Sequence, residues 1–411
     1  MKCACIGEHL KHSFSKEIHN MLADYEYEIK EIPKLELDAF MKKGDFLGIN
    51  VTIPYKESVI PYLYEIDDAA REIGAVNTIT KKDGKLYGYN TDFYGMCKLL
   101  KHAGISPEGK KAAVLGSGGT AKTANAVLKF LGASELITVS RTKSESTESY
   151  EELYKNHADT EIIINTTPVG MFPDTENAPI ELGKFPKLSG VIDAIYNPLR
   201  SRLVSEAESR GIKAEGGLYM LVAQAVRASE IFLDTKYCES KLDEVFEKVI
   251  SEKENLVLIG MPSSGKTTLG KELASILSRE FFDVDLEIEK MHGKISEIFK
   301  NEGENTFREY ESKIIAELSK KTGAVIATGG GAVTRNTNVQ NLKMNGKIIF
   351  IDRALADLCP TPDRPLSSDF SALKKRYEER YPLYEASADL KIEVKGTPTE
   401  LAKKIKEIIF K

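Results

Sequence analysis

The sequence has few of the features that mark secreted, membrane-bound or nucleic-acid-binding proteins. Its five cysteines are scattered and odd in number, which fits neither a disulfide framework nor the paired spacing of a zinc site. No apolar run approaches the length of a membrane span, and the first residues contain no apolar stretch typical of a signal peptide. A formal net charge of -5 leaves no basic surplus for nucleic acid. We therefore expect a cytoplasmic protein with small-molecule partners, while a monomer and a homodimer both stay open.

The chain is long and alternates between short apolar runs and longer amphipathic stretches. At 411 residues it exceeds what one hydrophobic core usually supports, so more than one domain is expected. The alternation predicts an α/β protein built around parallel sheets. A second series of apolar runs begins after the charged residues 251–254, which places a short polar linker near residues 248–255. The apolar runs are residues 112–115, 136–139, 162–164 and 191–195, and then 256–259, 324–327 and 347–351.

The first nucleotide motif is a glycine-rich turn between a predicted strand and a predicted helix. Residues 116–121 have the sequence Gly-Ser-Gly-Gly-Thr-Ala, the G-x-G-x-x-A pattern of a dinucleotide-binding fold. An isolated match of this kind is about as often a plain turn. The next predicted strand ends in Ser140, Arg141, Thr142 and Lys143, where an NAD enzyme usually has an acidic residue. Arginine and lysine at this place indicate a 2'-phosphate, and therefore NADP.

The second nucleotide motif is a complete phosphate-binding loop. Residues 260–268 have the sequence Gly-Met-Pro-Ser-Ser-Gly-Lys-Thr-Thr, between a predicted strand and a predicted helix. A turn without phosphate has no need of lysine followed by threonine at this spacing. Backbone amides would hold the phosphates of ATP, Lys266 would reach the terminal ones, and Thr267 would ligate Mg2+. The predicted ATP contacts in the loop are Pro262, Ser263, Ser264, Gly265, Lys266, Thr267 and Thr268.

Further motifs give the first part of the chain a family resemblance. They are HSFS at 12–15, NVTIPYK at 50–56, GAVNT at 74–78, NTD at 90–92 and LYMLVAQ at 218–224. Through these motifs, residues 1–248 resemble shikimate dehydrogenase along their whole length. The resemblance implies a substrate-binding domain of residues 1–100, to which 218–248 return, and a Rossmann NADP-binding domain of residues 101–217. It also implies NADPH-dependent reduction of 3-dehydroshikimate to shikimate.

The same resemblance assigns roles to individual residues, with Lys56 and Asp92 as the catalytic pair. Hydride transfer to a ketone builds negative charge on oxygen, so the site needs a proton donor and a positive charge. Lysine supplies both, and which of the two residues moves the proton stays open. The implied substrate contacts are Ser13, Ser15, Thr52, Asn77, Asp92, Tyr196 and Gln224. The implied NADP contacts are Gly116, Ser117, Gly118, Gly119, Thr120, Ser140, Arg141, Thr142, Lys143 and Gly217.

The second part of the chain carries a different set of motifs in order after the phosphate-binding loop. They are FFDVD at 281–285, FRE at 307–309, GGG at 329–331, DRPL at 363–366 and RYPLY at 380–384. Residues 255–411 thereby resemble shikimate kinase, which implies an α/β domain of the nucleoside-monophosphate-kinase type. The implied reaction is phosphorylation of shikimate to shikimate 3-phosphate.

The kinase resemblance also implies a role for each motif residue. Asp283 would hold Mg2+ through water, and Asp285 would orient or deprotonate the 3-hydroxyl. Arg308 and Arg380 would clamp the substrate carboxylate, because a guanidinium binds it with two parallel hydrogen bonds. Gly330 and Gly331 would bring the backbone close to the substrate ring, where side chains do not fit. Arg364 would close over the transferring phosphoryl group.

Two departures from the family patterns affect the nucleotide sites. Tyr219 stands where glycine is common, which predicts bulk close to the NADP pocket. Between Asp352 and Arg364 the chain is shorter than usual for a kinase lid, contains two prolines and has no arginine after Arg353. We therefore expect weak selectivity for the adenine base.

Two alternatives to the biosynthetic enzyme stay open. The first part could oxidise quinate or shikimate, since quinate differs only modestly in the ring, or the whole chain could be a ligand sensor that has lost its chemistry. The paired serines of the first motif favour shikimate. The complete set of catalytic candidates argues against a sensor, because a pure binding protein has no need of them: Lys56, Asp92, Lys266, Asp283 and Asp285.

Overall fold

The structure is a computed structural model that describes residues 2–8, 10, 14–358 and 370–410. It divides into two compact units, Met1–Val249 and Ile250–Lys411. The division falls inside the helix Lys241–Lys253, so most of the predicted linker is helical rather than extended. In the described part of the chain, no helix is long and apolar enough to cross a membrane.

The first sheet of the N-terminal unit is mixed, with the strand order β2-β1-β3-β5-β6-β4. β1, β2 and β3 are parallel, whereas β5 is antiparallel to both β3 and β6. Asp83 and Gly84 join β5 to β6 with positive φ angles, as an Asp-Gly hairpin turn requires. The strands are β1 Lys2–Gly7, β2 Glu26–Glu31, β3 Gly48–Val51, β4 Glu65–Ile66, β5 Thr78–Lys82 and β6 Lys85–Tyr89. The helices are α1 Ser15–Leu22, α2 Leu37–Lys43, α3 Asp68–Ile73 and α4 Thr91–His102.

The second sheet of this unit is parallel throughout, with the order β11-β10-β9-β7-β8. Its central strands are buried on both faces, which explains their continuous apolar sequences. The strands are β7 Lys111–Leu115, β8 Glu135–Val139, β9 Ile162–Asn165, β10 Gly190–Asp193 and β11 Lys213–Gly216. The helices are α5 Gly119–Phe130, α6 Tyr150–Asn156, α7 Arg202–Ser209, α8 Leu218–Leu233 and α9 Lys241–Lys253.

Helix α8 leaves the second sheet and packs against α1 and α4 of the first. Gly95 permits this packing, because a Cβ at that position would lie 2.7 Å from the backbone oxygen of Met220. As a result, residues from both sheets face one cleft within the N-terminal unit.

The C-terminal unit contains a parallel sheet of order β13-β14-β12-β15-β16. The phosphate-binding loop and the FFDVD and GGG motifs follow β12, β13 and β14, so they meet at the carboxyl edge of the sheet, where α/β proteins bind ligands. The predicted α/β fold is confirmed, with parallel sheets in the dinucleotide-type and P-loop parts and a mixed first sheet. The strands are β12 Asn255–Ile259, β13 Phe281–Asp283, β14 Val325–Ala327, β15 Gly346–Asp352 and β16 Leu390–Glu393. The helices are α10 Lys266–Leu277, α11 Val284–His292, α12 Ile295–Asn301, α13 Gly303–Leu318, α14 Asn336–Asn345, α15 Phe370–Ser387 and α16 Pro398–Ile409.

Candidate active sites

Lys56 and Asp92 lie together in the cleft of the N-terminal unit. Lys56 Nζ donates a hydrogen bond to Asp92 Oδ2 at 2.5 Å, and the two side chains are 18% and 14% exposed. Asp92 stands in the first turn of α4, where the helix dipole stabilises a carboxylate. Asn90 caps this helix by accepting from the backbone N–H of Phe93 at 3.2 Å. The pair is therefore held at the cleft, largely shielded from water.

The cleft is a cavity of about 600 Å³ that contains most of the predicted substrate residues. Ser13 lies outside the described residues. The predicted residues that line the cavity are Ser15, Thr52, Lys56, Asn77, Asp92, Thr120, Tyr196, Gly217 and Gln224. Sequence reasoning missed Cys5, Leu10, Asn50, Val51, Ile53, Met171, Ala194, Met220 and Leu221. Some of these adjoin predicted residues in the same motifs, but nothing in the sequence pointed to Met171 or Ala194.

A buried carboxylate supports the loop that carries Tyr196. Asp193, at the end of β10, accepts hydrogen bonds from Ser201 Oγ at 2.6 Å, Asn165 Nδ2 at 3.0 Å and the Ile195 backbone N–H at 3.1 Å. Burial raises the pKa of Asp193 to about 6, and these donors oppose that rise. The Tyr196 ring also lies 5.4 Å from that of Phe14. The hydrogen bonds of Asp193 in the preceding chain and the ring of Phe14 therefore both hold Tyr196 at the cavity.

The glycine-rich turn leads from β7 into α5. Gly116 has φ +115°, and a Cβ there would lie 2.5 Å from Thr166 Oγ1, so a side chain does not fit. Gly118 is the N-cap of α5, and the space around its Cβ position is open to 4 Å. The exposed N-terminus of α5 is therefore suited to a pyrophosphate. At the other side of the cleft, a Cβ on Gly217 would overlap the backbone of Ala194, which explains a glycine there.

The residues proposed for a 2'-phosphate follow β8 but differ in their surroundings. Lys143 Nζ forms an ion pair with Glu152, the carboxylate that completes the capping box of α6. Hydrogen bonds from Lys143 and from Ser149 lower the pKa of Glu152 to about 2. Arg141 is exposed, and its charge lowers the pKa of Tyr150, although burial raises that pKa overall. Arg141 is thus the better-placed cation of the two.

Tyr219 does not lie where the sequence predicted. Its ring stacks on His102 at 3.9 Å between centroids and meets Phe246 edge-on at 4.9 Å. Its hydroxyl donates to Asp243 Oδ1 at 2.6 Å. Because α8 turns this side chain toward α9, its bulk is directed away from the cleft, and the expectation of a crowded NADP pocket is wrong.

The phosphate-binding loop of the C-terminal unit holds its lysine against its own backbone. Lys266 Nζ donates to the carbonyl oxygens of Met261 at 2.8 Å and Gly260 at 3.0 Å, and the residue is 7% exposed. Gly265 has φ +94°, which lets the loop turn into α10. To reach a terminal phosphate, Lys266 must exchange carbonyl oxygens for phosphate oxygens.

The two predicted magnesium residues are in contact. Thr267 Oγ1 donates to Asp283 Oδ2 at 2.6 Å. Asp283 Oδ1 accepts from the backbone N–H groups of Asp285 at 3.0 Å and Leu286 at 3.4 Å, which caps α11. A hydroxyl and a carboxylate oxygen are hard ligands, and Mg2+ usually keeps several waters beside one or two such groups. These residues therefore fit Mg2+, whereas no cluster of His, Cys, Asp and Glu large enough for an all-protein metal cage occurs among the described residues.

The pocket beside the loop has a volume of about 730 Å³ and a basic wall. Arg308 donates to Glu311 Oε2 at 2.7 Å and to Glu304 Oε1 at 3.1 Å. Burial alone would lower the pKa of Arg308, but the Glu311 and Glu304 carboxylates together outweigh burial and raise it. Arg380 donates to the carbonyl oxygen of Gly330 at 3.1 Å. Both arginines thus line the pocket, and the oxygens that accept their hydrogen bonds fix the orientation of the guanidiniums.

Most predicted residues of the kinase site line this pocket, whereas Arg364 lies outside the described residues. The predicted ATP contacts that do not line it are Ser263, Ser264, Gly265, Lys266 and Thr268. A Cβ on Gly331 would overlap the Arg308 guanidinium, which explains the glycine there. The predicted residues lining the pocket are Pro262, Thr267, Asp283, Asp285, Arg308, Gly330, Gly331 and Arg380. Sequence reasoning missed Lys271, Lys294, Phe299 and Glu311. Glu311 could have been found from its spacing, because it lies three residues after Arg308 on one helix.

The two units therefore define a chain that joins an oxidoreductase-type dinucleotide cleft to a P-loop phosphotransferase. Family models match in both units: "Shikimate dehydrogenase substrate binding domain" at residues 5–79 and "Shikimate kinase" at residues 262–410. The chain belongs to the shikimate dehydrogenase family in its first part and carries a shikimate kinase domain in its second, which confirms the predicted fusion.

Individual relatives agree with this assignment for the first part. The NADP(+) shikimate dehydrogenase of Clostridium perfringens strain 13 is 38% identical over 261 residues, covering 59% of this chain and 96% of that protein. A solved chorismate mutase/shikimate 5-dehydrogenase fusion protein from Clostridium acetobutylicum is 36% identical with a TM-score of 0.57, covering 60% and 96% of the two chains. Shikimate 5-dehydrogenase from Thermus thermophilus, solved with NADP(H) and shikimate, is 28% identical with a TM-score of 0.55, covering 60% and 99%.

Proposed function

We propose that this chain catalyses two consecutive reactions. The N-terminal unit reduces 3-dehydroshikimate to shikimate with NADPH, and the C-terminal unit transfers the terminal phosphoryl group of ATP to the 3-hydroxyl of shikimate with Mg2+. The observation that carries the proposal is the Lys56–Asp92 pair in a cavity with Asn77 and Gln224. The solved relative in complex with NADP(H) and shikimate supports the choice of ligands.

Within this proposal, the domains divide the work. Residues 1–100 and 218–248 bind the substrate of the reduction, residues 101–217 bind NADP, and residues 255–411 carry out phosphoryl transfer. The return of α8 to the first sheet is consistent with this division, because Gln224 of α8 and Asn77 beside β5 line the same cavity.

In the reduction, NADPH when bound supplies the hydride that forms the new C–H bond at the carbonyl carbon. The electron pair of the C=O bond moves to oxygen, which then needs a proton. Lys56 Nζ is the proton-bearing member of the catalytic pair, and its charge stabilises the developing alkoxide. Asp92 Oδ2 accepts from Nζ at 2.5 Å, so it orients the lysine. Ser15, with Ser13, would hold the substrate carboxylate.

In the phosphoryl transfer, the protein mainly positions the reactants and stabilises charge. Thr267 and Asp283 would hold Mg2+, which neutralises phosphate charge when bound. Asp285 lies two residues after the Asp283 cap and lines the pocket, where it can accept the proton of the attacking hydroxyl. Arg308 and Arg380 would bind the substrate carboxylate with paired hydrogen bonds.

A coupled assay tests both reactions in one tube. The full chain is supplied with 3-dehydroshikimate and NADPH, the loss of NADPH absorbance is followed, and ATP with Mg2+ is then added while shikimate 3-phosphate is quantified. We expect oxidation of NADPH first and shikimate 3-phosphate only after ATP is added. Preferred turnover of quinate with NADP+ would instead favour the quinate alternative, and ligand binding without turnover in either step would favour a sensor.

A further inference from the structure

A set of buried polar side chains lies behind the dehydrogenase cavity. Tyr27 of β2, Asn50 of β3 and Thr78 of β5 are 2%, 7% and 0% exposed. Buried polar groups are costly unless they are hydrogen-bonded, so the partners of each of these atoms determine its orientation. Together with Asn77 and Thr91, they form a continuous network from the deep side of the sheet to the cavity wall.

The direction of hydrogen-bond donation along this network is fixed at the end that contains Tyr27. Tyr27 stacks on His19 at 3.9 Å between ring centroids, with the planes 9° apart. Burial raises the pKa of Tyr27 well above its usual value, so the phenol stays protonated and donates to Asn50 Oδ1 at 2.7 Å. Because this donor occupies Oδ1, the amide of Asn50 presents Nδ2 to Thr78 Oγ1 at 3.1 Å.

The orientation of Asn77 is set at the other end. Its Oδ1 lies 2.7 Å from the backbone N–H of Thr91, and a backbone N–H can only donate. The hydroxyl of Thr78 donates to the same oxygen at 3.1 Å. Nδ2 is therefore the atom that Asn77 can present to the cavity it lines.

Thr78 joins the two ends. Its hydroxyl accepts from Asn50 and has one proton to give, with Asn77 Oδ1 at 3.1 Å and Thr91 Oγ1 at 3.0 Å as its neighbours. Thr91 Oγ1 in turn lies 3.4 Å from Gln224 Oε1. The Thr78 hydroxyl therefore contacts Asn77 directly and contacts the Thr91 hydroxyl that lies beside Gln224, and both Asn77 and Gln224 line the cavity.

On the basis of the proposed function, we propose that Thr78 is a positioning residue for the reduction. Its hydroxyl holds the Asn77 amide so that Nδ2 donates a hydrogen bond to an oxygen of the substrate. Thr78 itself is fully buried, one residue beyond Asn77 in the chain. Loss of its hydroxyl should loosen the substrate-binding amide while leaving the Lys56–Asp92 pair intact. The site then loses substrate binding more than it loses the chemical step.

The test compares two variants of the full chain. Thr78→Val keeps the shape of threonine but removes the hydroxyl, whereas Thr78→Ser keeps the hydroxyl and removes the methyl group. For Thr78→Val we expect KM for 3-dehydroshikimate to rise roughly tenfold, the scale of one buried hydrogen bond, while kcat and the KM for NADPH stay within about threefold. Thr78→Ser should remain close to the unaltered chain. Shikimate kinase activity of the same samples serves as the control for intact protein.

The outcomes separate the inference from the proposed function. If the unaltered chain does not reduce 3-dehydroshikimate, the proposed function fails and the variants are irrelevant to it. If the chain is active but both Thr78 variants raise KM equally, the methyl group matters rather than the hydroxyl, and the inference is wrong. Equal losses in kcat and in both KM values would also overturn it. Should Thr78→Val not fold, Tyr27→Phe provides the second test, since it should raise the same KM by a smaller factor; an unchanged KM there contradicts the network.

Discussion

The two active sites hold their cationic catalytic groups in opposite ways. In the dehydrogenase cleft, Lys56 is paired with Asp92, a second member of the same machinery. In the kinase site, Lys266 is bound to carbonyl oxygens of its own loop. In the cleft, the proposed catalytic lysine and its carboxylate partner are already in contact. In the kinase site, Lys266 must exchange its carbonyl partners for phosphate oxygens when phosphate binds. The difference is that a carboxylate orients Lys56, whereas the loop backbone holds Lys266.

The largest expected effects come from removing each lysine. Lys56→Ala should abolish reduction by a factor of about 10³ or more and spare phosphorylation, because it removes both the proton donor and the positive charge. Lys266→Ala should do the reverse. The two assays on each purified variant check this prediction. If either substitution silences both activities in a folded chain, the two sites are not independent.

The next expected effect concerns the magnesium residues of the kinase. Asp283→Asn keeps the acceptor that caps α11 but removes a negative charge next to Thr267, so Mg2+ binding should weaken. We expect the Mg2+ concentration at half-maximal kinase rate to rise about tenfold or more, with reduction unchanged. Asp389→Asn, which also accepts from a backbone N–H but does not line the pocket, is the matched control. An unchanged Mg2+ dependence would show that Asp283 serves only as a helix cap.

A smaller difference is expected between the two basic residues after β8. Arg141→Ala should raise KM for NADPH about tenfold, because a guanidinium binds phosphate through paired hydrogen bonds. Lys143→Ala should have less effect, since Lys143 is already paired with Glu152. KM values for NADPH and NADH report the difference, and the unaltered chain should prefer NADPH. A larger effect at Lys143 than at Arg141 would mean that phosphate displaces the Glu152 ion pair.

The smallest expected effect is at Tyr219. Tyr219→Phe removes the hydrogen bond to Asp243 but keeps the ring contacts with His102 and Phe246. We expect a loss of about 1 kcal/mol in the free energy of unfolding of the N-terminal unit, with KM for NADPH unchanged. Thermal unfolding and cofactor titration check this. A change in KM for NADPH without a change in stability would restore the expectation that Tyr219 borders the NADP pocket.

The phosphate-binding loop and the GGG motif follow parallel strands, and FFDVD ends one, whereas FRE and RYPLY lie on α13 and α15. Parallel strands bring their carboxyl ends to one edge, so motifs far apart in the chain meet there. This explains why Thr267 of the phosphate-binding loop contacts Asp283. The weak base selectivity expected from the short lid stays a prediction, since residues 359–364 of that segment lie outside the described residues.

The apolar runs and glycine loops were enough to predict the fold class and the two nucleotide motifs, and the family followed from the resemblance of the remaining motifs. These features are local, because each depends on residues within one turn, strand or loop. The partners of individual side chains were decided only by tertiary structure. Tyr219 faces α9 because of how α8 packs, Lys143 is held by Glu152 of α6, and Thr78 orients Asn77 through neighbouring strands. A hydrogen bond depends on atoms within about 3 Å, and the sequence does not place residues from different elements with that accuracy.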